Sequence, residues 1–348
     1  MYVDVSMSIH LGLAYDFRNP PSSGLTNPSL YTRLLSQIKL ADTLGYHSIW
    51  LTEHHFVEDG YMPSFVGAAA AIAAVTARVE ISSDILLLPF HHPLRLAEDL
   101  AVVDNLSNGR LMLGVGMGYA PHEFRAFGVD RRHRVSLLEE GVEVLRRAWS
   151  QERFSFAGRR WRFDDVAVRP RPVRAGGPPI WMAAMSEPAA RRAARLGAHL
   201  LPQGRREVVL DPWRDELARL GRREGDYRVG IIRPWLVTDD ADRLWPRIRE
   251  AERYRLKQYA QWFGEAGDQE MLGGGSASGT AGGGWIPQTY IVGDAARVAD
   301  ELLRFSAEYG ITDVISWGAP PGIEPEVMNE SHERFAREVM PRLRAGRP

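Results

Sequence analysis

The sequence contains no cysteine, and of its 43 lysines and arginines only Lys39 and Lys257 are lysines. The missing thiols exclude disulfides, a cysteine nucleophile and cysteine-ligated metal sites. A formal net charge of -1 gives no electrostatic basis for binding nucleic acid or an anionic membrane. The most apolar stretch, residues 65–77, is too short to span a bilayer. Because the N-terminus also lacks the pattern of a leader peptide, we expect a cytoplasmic protein.

What the chain does contain is a regular alternation of short apolar strands and amphipathic helices. Its 348 residues, 45% of them hydrophobic and 25% charged, are enough for a large globular core. Eight strand–helix units without a shift in composition predict one α/β domain over residues 1–348, a (β/α)8 TIM barrel. Two interruptions are predicted, a β-hairpin after the fourth helix (residues 154–177) and a mobile, glycine-rich insertion loop (residues 264–284).

In such a barrel, the loops at the C-terminal ends of the strands carry the chemistry. Glu53, His54 and His55 directly follow the second predicted strand. A histidine there titrates near neutral pH and can move a proton or hydrogen-bond a developing negative charge. A metal site that also uses His91 and His92 is the alternative, but no spacing directs these side chains to a common point, so no metal is predicted.

Glycines follow the fourth predicted strand, in the sequence GVGMG at residues 114–118. A dinucleotide-binding fingerprint is excluded because its third glycine is replaced by Tyr119. The glycines either let the backbone approach a flat ligand closely or form a tight turn without a ligand.

The fifth predicted strand ends at Ala184, Met185 and Ser186, where a helix begins. Ser186 is a candidate N-cap, and the same helix N-terminus is a candidate phosphate site, two interpretations that are compatible. Among the tryptophans, Trp181 within the strand is predicted to be core, whereas Trp285 and Trp317 are candidates either for an apolar pocket or for core.

Several sequence blocks resemble the bacterial luciferase-like flavin monooxygenases. The resemblance extends over nearly the whole chain, and the order and spacing of the blocks carry it rather than any single motif. The blocks are ADTLGY at 41–46, WLTEHHF at 50–56, LPFHHP at 88–93, DNLSNGRLMLGVGMGY at 104–119, EFRAFG at 123–128, PRP at 170–172 and VMPRL at 339–343.

The resemblance implies a TIM barrel with FMN at the C-terminal mouth and His54 as the catalytic histidine. It also implies a non-prolyl cis peptide bond between Asp84 and Ile85, and it identifies residues 264–284 as a lid. The residues implied to contact the flavin are Glu53, Ile85, Gly116 and Met117 around the ring, and Ala184, Met185, Ser186 and Ala189 near the phosphate. Trp285 and Trp317 would line the substrate pocket.

The chain differs from luciferase itself at three of these positions. Gly116 replaces a cysteine near the reactive flavin carbon, Met117 replaces a phosphate-binding arginine, and Met185 replaces a glutamate of the phosphate loop. Light emission is therefore not expected, and the phosphate must be bound differently, with Ser186 and its helix N-terminus contributing.

We expect reduced FMN, supplied by a separate flavin reductase, and O2 as co-substrate in the oxygenation of a small organic molecule by a homodimer. No second nucleotide-binding unit is evident, which is why the reductase is expected to be separate. Two alternatives stay open: hydride transfer with a deazaflavin coenzyme, and a non-catalytic flavin-binding protein. Glu-His-His after the second strand is more typical of the oxygenases, whereas the deazaflavin enzymes more often carry Asp-His.

Overall fold

The structure is a computed structural model that describes residues 9–267 and 285–345. Its strands are β1 (His10–Tyr15), β2 (Ser48–Leu51), β3 (Glu80–Ser83), β4 (Leu86–Leu87), β5 (Leu113–Gly116), β6 (Phe154–Ala157), β7 (Arg162–Val166), β8 (Ile180–Ala184), β9 (His199–Pro202), β10 (Gly230–Ile232), β11 (Trp235–Val237), β12 (Ile291–Gly293) and β13 (Asp313–Trp317).

The α-helices surround these strands. They are α1 (Asn27–Leu44), α2 (Phe65–Val75), α3 (Pro93–Leu106), α4 (Pro121–Ala126), α5 (Arg134–Ser150), α6 (Glu187–Arg195), α7 (Arg206–Val209), α8 (Asp211–Arg219), α9 (Ala241–Ala266), α10 (Ala295–Tyr309), α11 (Pro325–Arg334) and α12 (Met340–Ala345). A π-helical turn, Phe335–Val339, joins the last two. No helix of the described ranges combines the length and the apolar character needed to cross a bilayer.

Parallel pairings link the strands into a ring. One set of ladders runs in the order β10-β13-β1-β2-β3, and a second runs in the order β4-β5-β8-β9. Two isolated parallel bridges, Ile81 with Leu111 and Leu200 with Val229, join the two sets. Counting β3 and β4 as one interrupted strand, eight parallel strands close the (β/α)8 barrel that the alternation predicts.

Alternation along each strand separates two apolar layers. Inward-facing side chains fill the barrel interior, which we call the interior cluster: Ala14, Trp50, Met112, Trp181, Leu201, Ile315 and Trp317. The neighbouring positions, such as Leu13 and Ile49, instead pack outward against the helices. Trp181 is fully buried in the interior cluster, so its prediction as core is confirmed.

Two departures from the alternation were expected. The structure confirms the hairpin and shifts the start of the insertion loop. Strands β6 and β7 form the antiparallel hairpin predicted after the fourth helix. The insertion loop, however, does not start at residue 264, because α9 continues through Ala266 and ends at Gly267, whose left-handed φ of 78° caps the helix. The rest of the predicted loop and lid, residues 268–284, lies outside the described residues.

Candidate active site at the barrel mouth

The loop after β2 is held over the C-terminal end of the barrel by backbone hydrogen bonds. His54 N donates to Met62 O at 3.3 Å, and Met62 N donates to Asp16 O, directly beyond the end of β1, at 2.9 Å. Glu53, His54 and His55 are all buried, so this loop is part of the packed structure rather than a free surface segment. The three side chains therefore occupy fixed positions at the mouth.

His54 pairs with a carboxylate from the loop region after β5. Its Nδ1 lies 2.9 Å from Oε1 of Glu123, and the same oxygen accepts the backbone N–H of His55 at 2.8 Å. On the other side of the ring, the hydroxyl of Tyr119 lies 3.4 Å from Nε2. Because a carboxylate can only accept, the proton of His54 is placed on Nδ1, and Nε2 is the ring atom that can exchange a proton at the mouth.

Glu53 connects the loop after β2 to the loop after β4. Its Oε1 accepts from Nε2 of His55 at 3.1 Å and from Leu87 N at 3.2 Å, and Nε2 of His91 lies 3.6 Å away. Burial acts to raise the pKa of Glu53, but the neighbouring rings of His55 and His91 outweigh it, so the pKa lies below the ordinary value. Glu53 is therefore an ionised group that fixes His55.

The second oxygens of these two carboxyls are notable for their lack of partners. Oε2 of Glu53 and Oε2 of Glu123 are buried, and neither has a hydrogen-bond partner among the described residues. A buried acceptor without a donor is costly, so both atoms fit a site that receives a hydrogen-bonding ligand. No group of three or more histidine, aspartate or glutamate side chains in residues 9–267 and 285–345 is arranged to hold a metal ion.

Ile85 and Gly116 meet at the edge of the barrel interior. The peptide bond between Asp84 and Ile85 is cis, as expected. Ile85 packs against the interior cluster, and a Cβ atom built on Gly116 would stand only 1.8 Å from Ile85 Cδ1. Glycine is thus required here by close approach rather than by a turn, and together the two residues offer a flat apolar surface.

The turn expected to hold a phosphate follows β8. Ala184 and Ala189 are buried beneath it, Met185 is half-buried and Ser186 is exposed. Ser186 occupies the N-cap position of α6, but its hydroxyl makes no capping hydrogen bond. The interpretation of Ser186 as a capping residue therefore lacks its hydrogen bond. The hydroxyl remains available to a ligand. Met117, half-buried after β5, packs against the outer core.

The two tryptophans predicted for the substrate pocket lie in different settings. Trp317 is at the end of β13 with only 6% of its surface exposed, and the Arg255 guanidinium carbon lies 3.5 Å from the centre of its ring. Trp285 pairs through an isolated bridge with Arg205, after β9, and is only partly buried. Trp317 thus belongs to the interior cluster, whereas Trp285 borders the loop after β9.

Helix α9 covers the mouth. The ring of Trp262 lies 4.3 Å from that of His54, and the ring of Tyr259 lies 5.9 Å from it. The hydroxyls of Tyr259 and Tyr61 are 2.7 Å apart. Aromatic side chains from α9 therefore enclose His54 and separate it from bulk solvent.

A buried ion-pair network anchors α9 to the strand ends. Nε of Arg255 donates to Asp16 at 3.1 Å, and its Nη1 donates to Glu252 at 2.5 Å. A second pair, Arg18 with Asp59 at 2.7 Å, lies beside it, and both guanidinium groups are almost completely buried. Charges buried to this degree must be paired, so the network fixes the position of α9.

Sequence reasoning missed several of these residues. Glu123, Asp16 and Arg255 were not singled out, although Glu123 stands in one of the blocks that carry the resemblance. A signal for Glu123 exists, because it is a carboxylate in the first turn of the short helix that follows β5. Arg255 gives no such signal, since it is one of many arginines in a polar helix.

The structure is thus a TIM barrel that carries, at its C-terminal strand ends, a buried histidine–carboxylate pair beside a glycine-lined surface. The family model described as luciferase-like monooxygenase matches residues 9–313. The chain belongs to the luciferase-like monooxygenase family.

Relatives in this family are similar over almost the full chain. The oxygenase component of the flavin-dependent trigonelline monooxygenase of Acinetobacter baylyi is 29% identical, with 91% of each chain covered. The FMNH(2)-dependent dimethylsulfone monooxygenase of Pseudomonas fluorescens is 26% identical, covering 90% of this chain and 87% of the relative. The crystal structure of the monooxygenase RslO1 of Streptomyces bottropensis superimposes with a TM-score of 0.76 at 25% identity, covering 96% of this chain and 99% of RslO1.

Proposed function

We propose that this protein is the oxygenase component of a two-component flavin monooxygenase, which uses reduced FMN from a separate reductase and O2 to oxygenate a small organic substrate. The observation that carries the proposal is the His54–Glu123 pair, buried at the same strand ends as the flat surface of Ile85 and Gly116. The names of the relatives support a flavin, and one of them is itself an oxygenase component.

The residues at the mouth fit an FMN. The apolar surface of Ile85 and Gly116 suits a flat ring, and the orphaned Glu53 Oε2 is an acceptor for a ring N–H. A phosphate suits the Ser186 hydroxyl, which makes no capping hydrogen bond, and the first-turn N–H groups of α6. Met117 and Met185 would contribute apolar contact instead of charge. When bound, reduced FMN supplies the electrons with which dioxygen is activated.

In this proposal His54 holds and moves the proton. Glu123 keeps the proton of the neutral ring on Nδ1, so Nε2 can take a proton from the substrate side and Tyr119 can share it. The orientation is fixed before any ligand arrives, because Glu123 also binds the backbone of His55. A preorganised ring avoids reorganisation during the reaction.

Water exclusion is the role proposed for α9. Tyr259 and Trp262 already enclose His54, and the Arg255 network fixes the helix that carries them. Removing water protects a reactive oxidant and strengthens the hydrogen bonds inside the site. In this arrangement Trp317, beneath Arg255, and Trp285, beside the loop after β9, form part of the substrate wall.

The two relatives named above act on chemically unlike small molecules, so the substrate class proposed is only that of small organic compounds. A cytoplasmic homodimer is part of the same proposal.

The test is turnover with chemically reduced FMN in oxygenated buffer, with product formation measured by mass spectrometry across a substrate panel. For a positive substrate, His54→Asn should lower the rate of oxygenation by about 100-fold or more while FMN still binds. An unchanged rate in His54→Asn would remove His54 from the mechanism. Tight binding of a deazaflavin coenzyme with negligible FMN affinity would favour hydride transfer, and stoichiometric FMN binding with no oxygenation would favour a non-catalytic flavin-binding protein.

A further inference from the structure

Asp84 lies at the upper edge of the barrel interior. In the ladder between β2 and β3, Trp50 is the register partner of Ser82, and Trp50 belongs to the interior cluster. Asp84 N still donates to Leu51 O at 2.8 Å, so the ladder continues to this residue. Two residues beyond Ser82, Asp84 is on the inward face, one layer nearer the mouth.

The carboxyl of Asp84 is alone among the acidic groups at the mouth. Asp16 is paired with Arg255, and Asp59 is paired with Arg18. Glu53 and Glu123 each accept at least two hydrogen bonds, from histidines and from backbone N–H groups. In the part of the chain that the structure describes, Asp84 makes no side-chain hydrogen bond and no ion pair.

The surroundings of Asp84 explain its protonation state. The titratable groups of the mouth, Glu53 and His54 after β2, Asp16 after β1 and Glu123 on α4, are each already engaged with another partner. None of them contributes to the shift; burial alone raises the pKa of Asp84 to about 7. A group that exchanges its proton near neutral pH while partly exposed at a strand end is suited to proton transfer.

We propose that Asp84 is a second proton-exchanging group of the active site, separate from the His54–Glu123 pair, and that it serves the flavin beside Ile85. The proposal rests on the proposed function. With FMN bound beside Ile85, Asp84 in its acid form would donate its carboxyl proton to the ligand and remain as a carboxylate. The carboxylate then regains a proton from water, so no other reactant is needed.

The first experiment measures the carboxyl without any flavin. Infrared spectra of the protein, recorded from about pH 5 to about pH 9, should show a protonated carboxyl band that titrates near neutral pH. The band should be lost in Asp84→Asn and retained in Asp300→Asn, a change at an exposed aspartate. Because the infrared titration needs no cofactor, it tests the carboxyl of Asp84 even if the chain binds no flavin. A spectrum in which Asp84→Asn removes no such band overturns the proposal.

The second experiment tests whether the group acts on the flavin. Because FMN is an anion through its phosphate, a charged Asp84 should repel it and a protonated Asp84 should not. At each pH, the dissociation constant of reduced FMN from the natural chain is divided by that from Asp84→Asn. We expect this ratio to rise by roughly tenfold between about pH 6 and about pH 8. Asp84→Ala should behave like Asp84→Asn. A ratio that does not change with pH overturns the link to the flavin even where the infrared band titrates.

Discussion

Nδ1 of His54 lies 2.9 Å from Oε1 of Glu123, although 69 positions separate the two residues in the chain. The contact joins the loop after β2 to α4, the helix that follows β5, and so bridges two non-adjacent strand ends of the barrel. Both side chains are buried, so the ring has one orientation and one position for its proton. Proton transfer by His54 should consequently depend on Glu123, which orients the ring.

We expect Glu123→Gln to lower the rate of oxygenation by about 10- to 100-fold, because glutamine can also donate and so no longer requires the proton on Nδ1. As a positioning residue, Glu123 should change the pH profile of the rate more than it changes FMN affinity. Rapid-mixing kinetics with reduced FMN at several pH values measure both quantities.

The matched control for this change is Glu326→Gln, a surface glutamate paired with Arg33. It should leave the rate and its pH profile as in the natural chain. If Glu123→Gln altered FMN affinity and left the pH profile unchanged, Glu123 would be a structural residue of the flavin pocket instead.

Arg255 should be among the side chains whose loss destabilises the protein most. Replacing Arg255 by methionine leaves Asp16 buried and unpaired, for a cost of about 3–5 kcal/mol in the free energy of unfolding. Because Glu252 is held by the same guanidinium, its carboxyl also loses a partner. Urea denaturation followed by tryptophan fluorescence measures the loss.

Arg243→Met is the comparison on the same helix, since Arg243 forms an exposed pair with Glu330. That pair should contribute less than about 1 kcal/mol. Adding Asp16→Asn to Arg255→Met should recover part of the stability by removing the unpaired charge. Equal effects of Arg243→Met and Arg255→Met would show that the buried network does not anchor α9.

Gly116→Ala should weaken FMN binding by about tenfold, because the new methyl group would displace Ile85 from the surface proposed for the flavin ring. The double variant with Ile85→Val should recover part of the affinity, since it removes the colliding Cδ1 atom. Fluorescence quenching of FMN measures the dissociation constant. Gly225→Ala, where an added Cβ meets nothing within 4 Å, should have no effect, and an equal loss there would remove the steric argument.

The barrel itself could be predicted because its determinants are local. Gly45 marks the end of the first helix in the sequence and has the left-handed φ of 86° that such an end requires. At the start of the same helix the N-cap is Thr26, whose hydroxyl accepts from Ser29 N. The periodicity of the sequence predicts which face of a helix is buried. The residues at which the helix begins and ends depend on the geometry of its capping hydrogen bonds.

The site could be predicted only in part. His54 and the cis bond at Ile85 follow from the resemblance, but the partners of these residues do not. Glu123 reaches His54 across 69 positions, and Arg255 reaches Asp16 across 239, because closing the barrel brings distant strand ends together. A single sequence carries no distance information of that kind. The strand β12 was also missed, since its three residues, which include Gly293, are too few for a periodic pattern.

Asp84 should make the stability of the protein depend on pH. Its pKa is raised from 3.8 to about 7, so between these values the folded chain keeps a proton that the unfolded chain has lost. Stability from this group is therefore present at acidic pH and falls as the pH rises toward 7, the opposite of a salt-bridged aspartate. The Asp84→Asn variant carries no such proton. Its free energy of unfolding, relative to that of the natural chain, should therefore rise by about 3 kcal/mol between about pH 5 and about pH 8. Urea denaturation at the two pH values measures this difference. A constant difference would mean that Asp84 is ionised in the folded protein throughout, and its proposed proton transfer would fail with it.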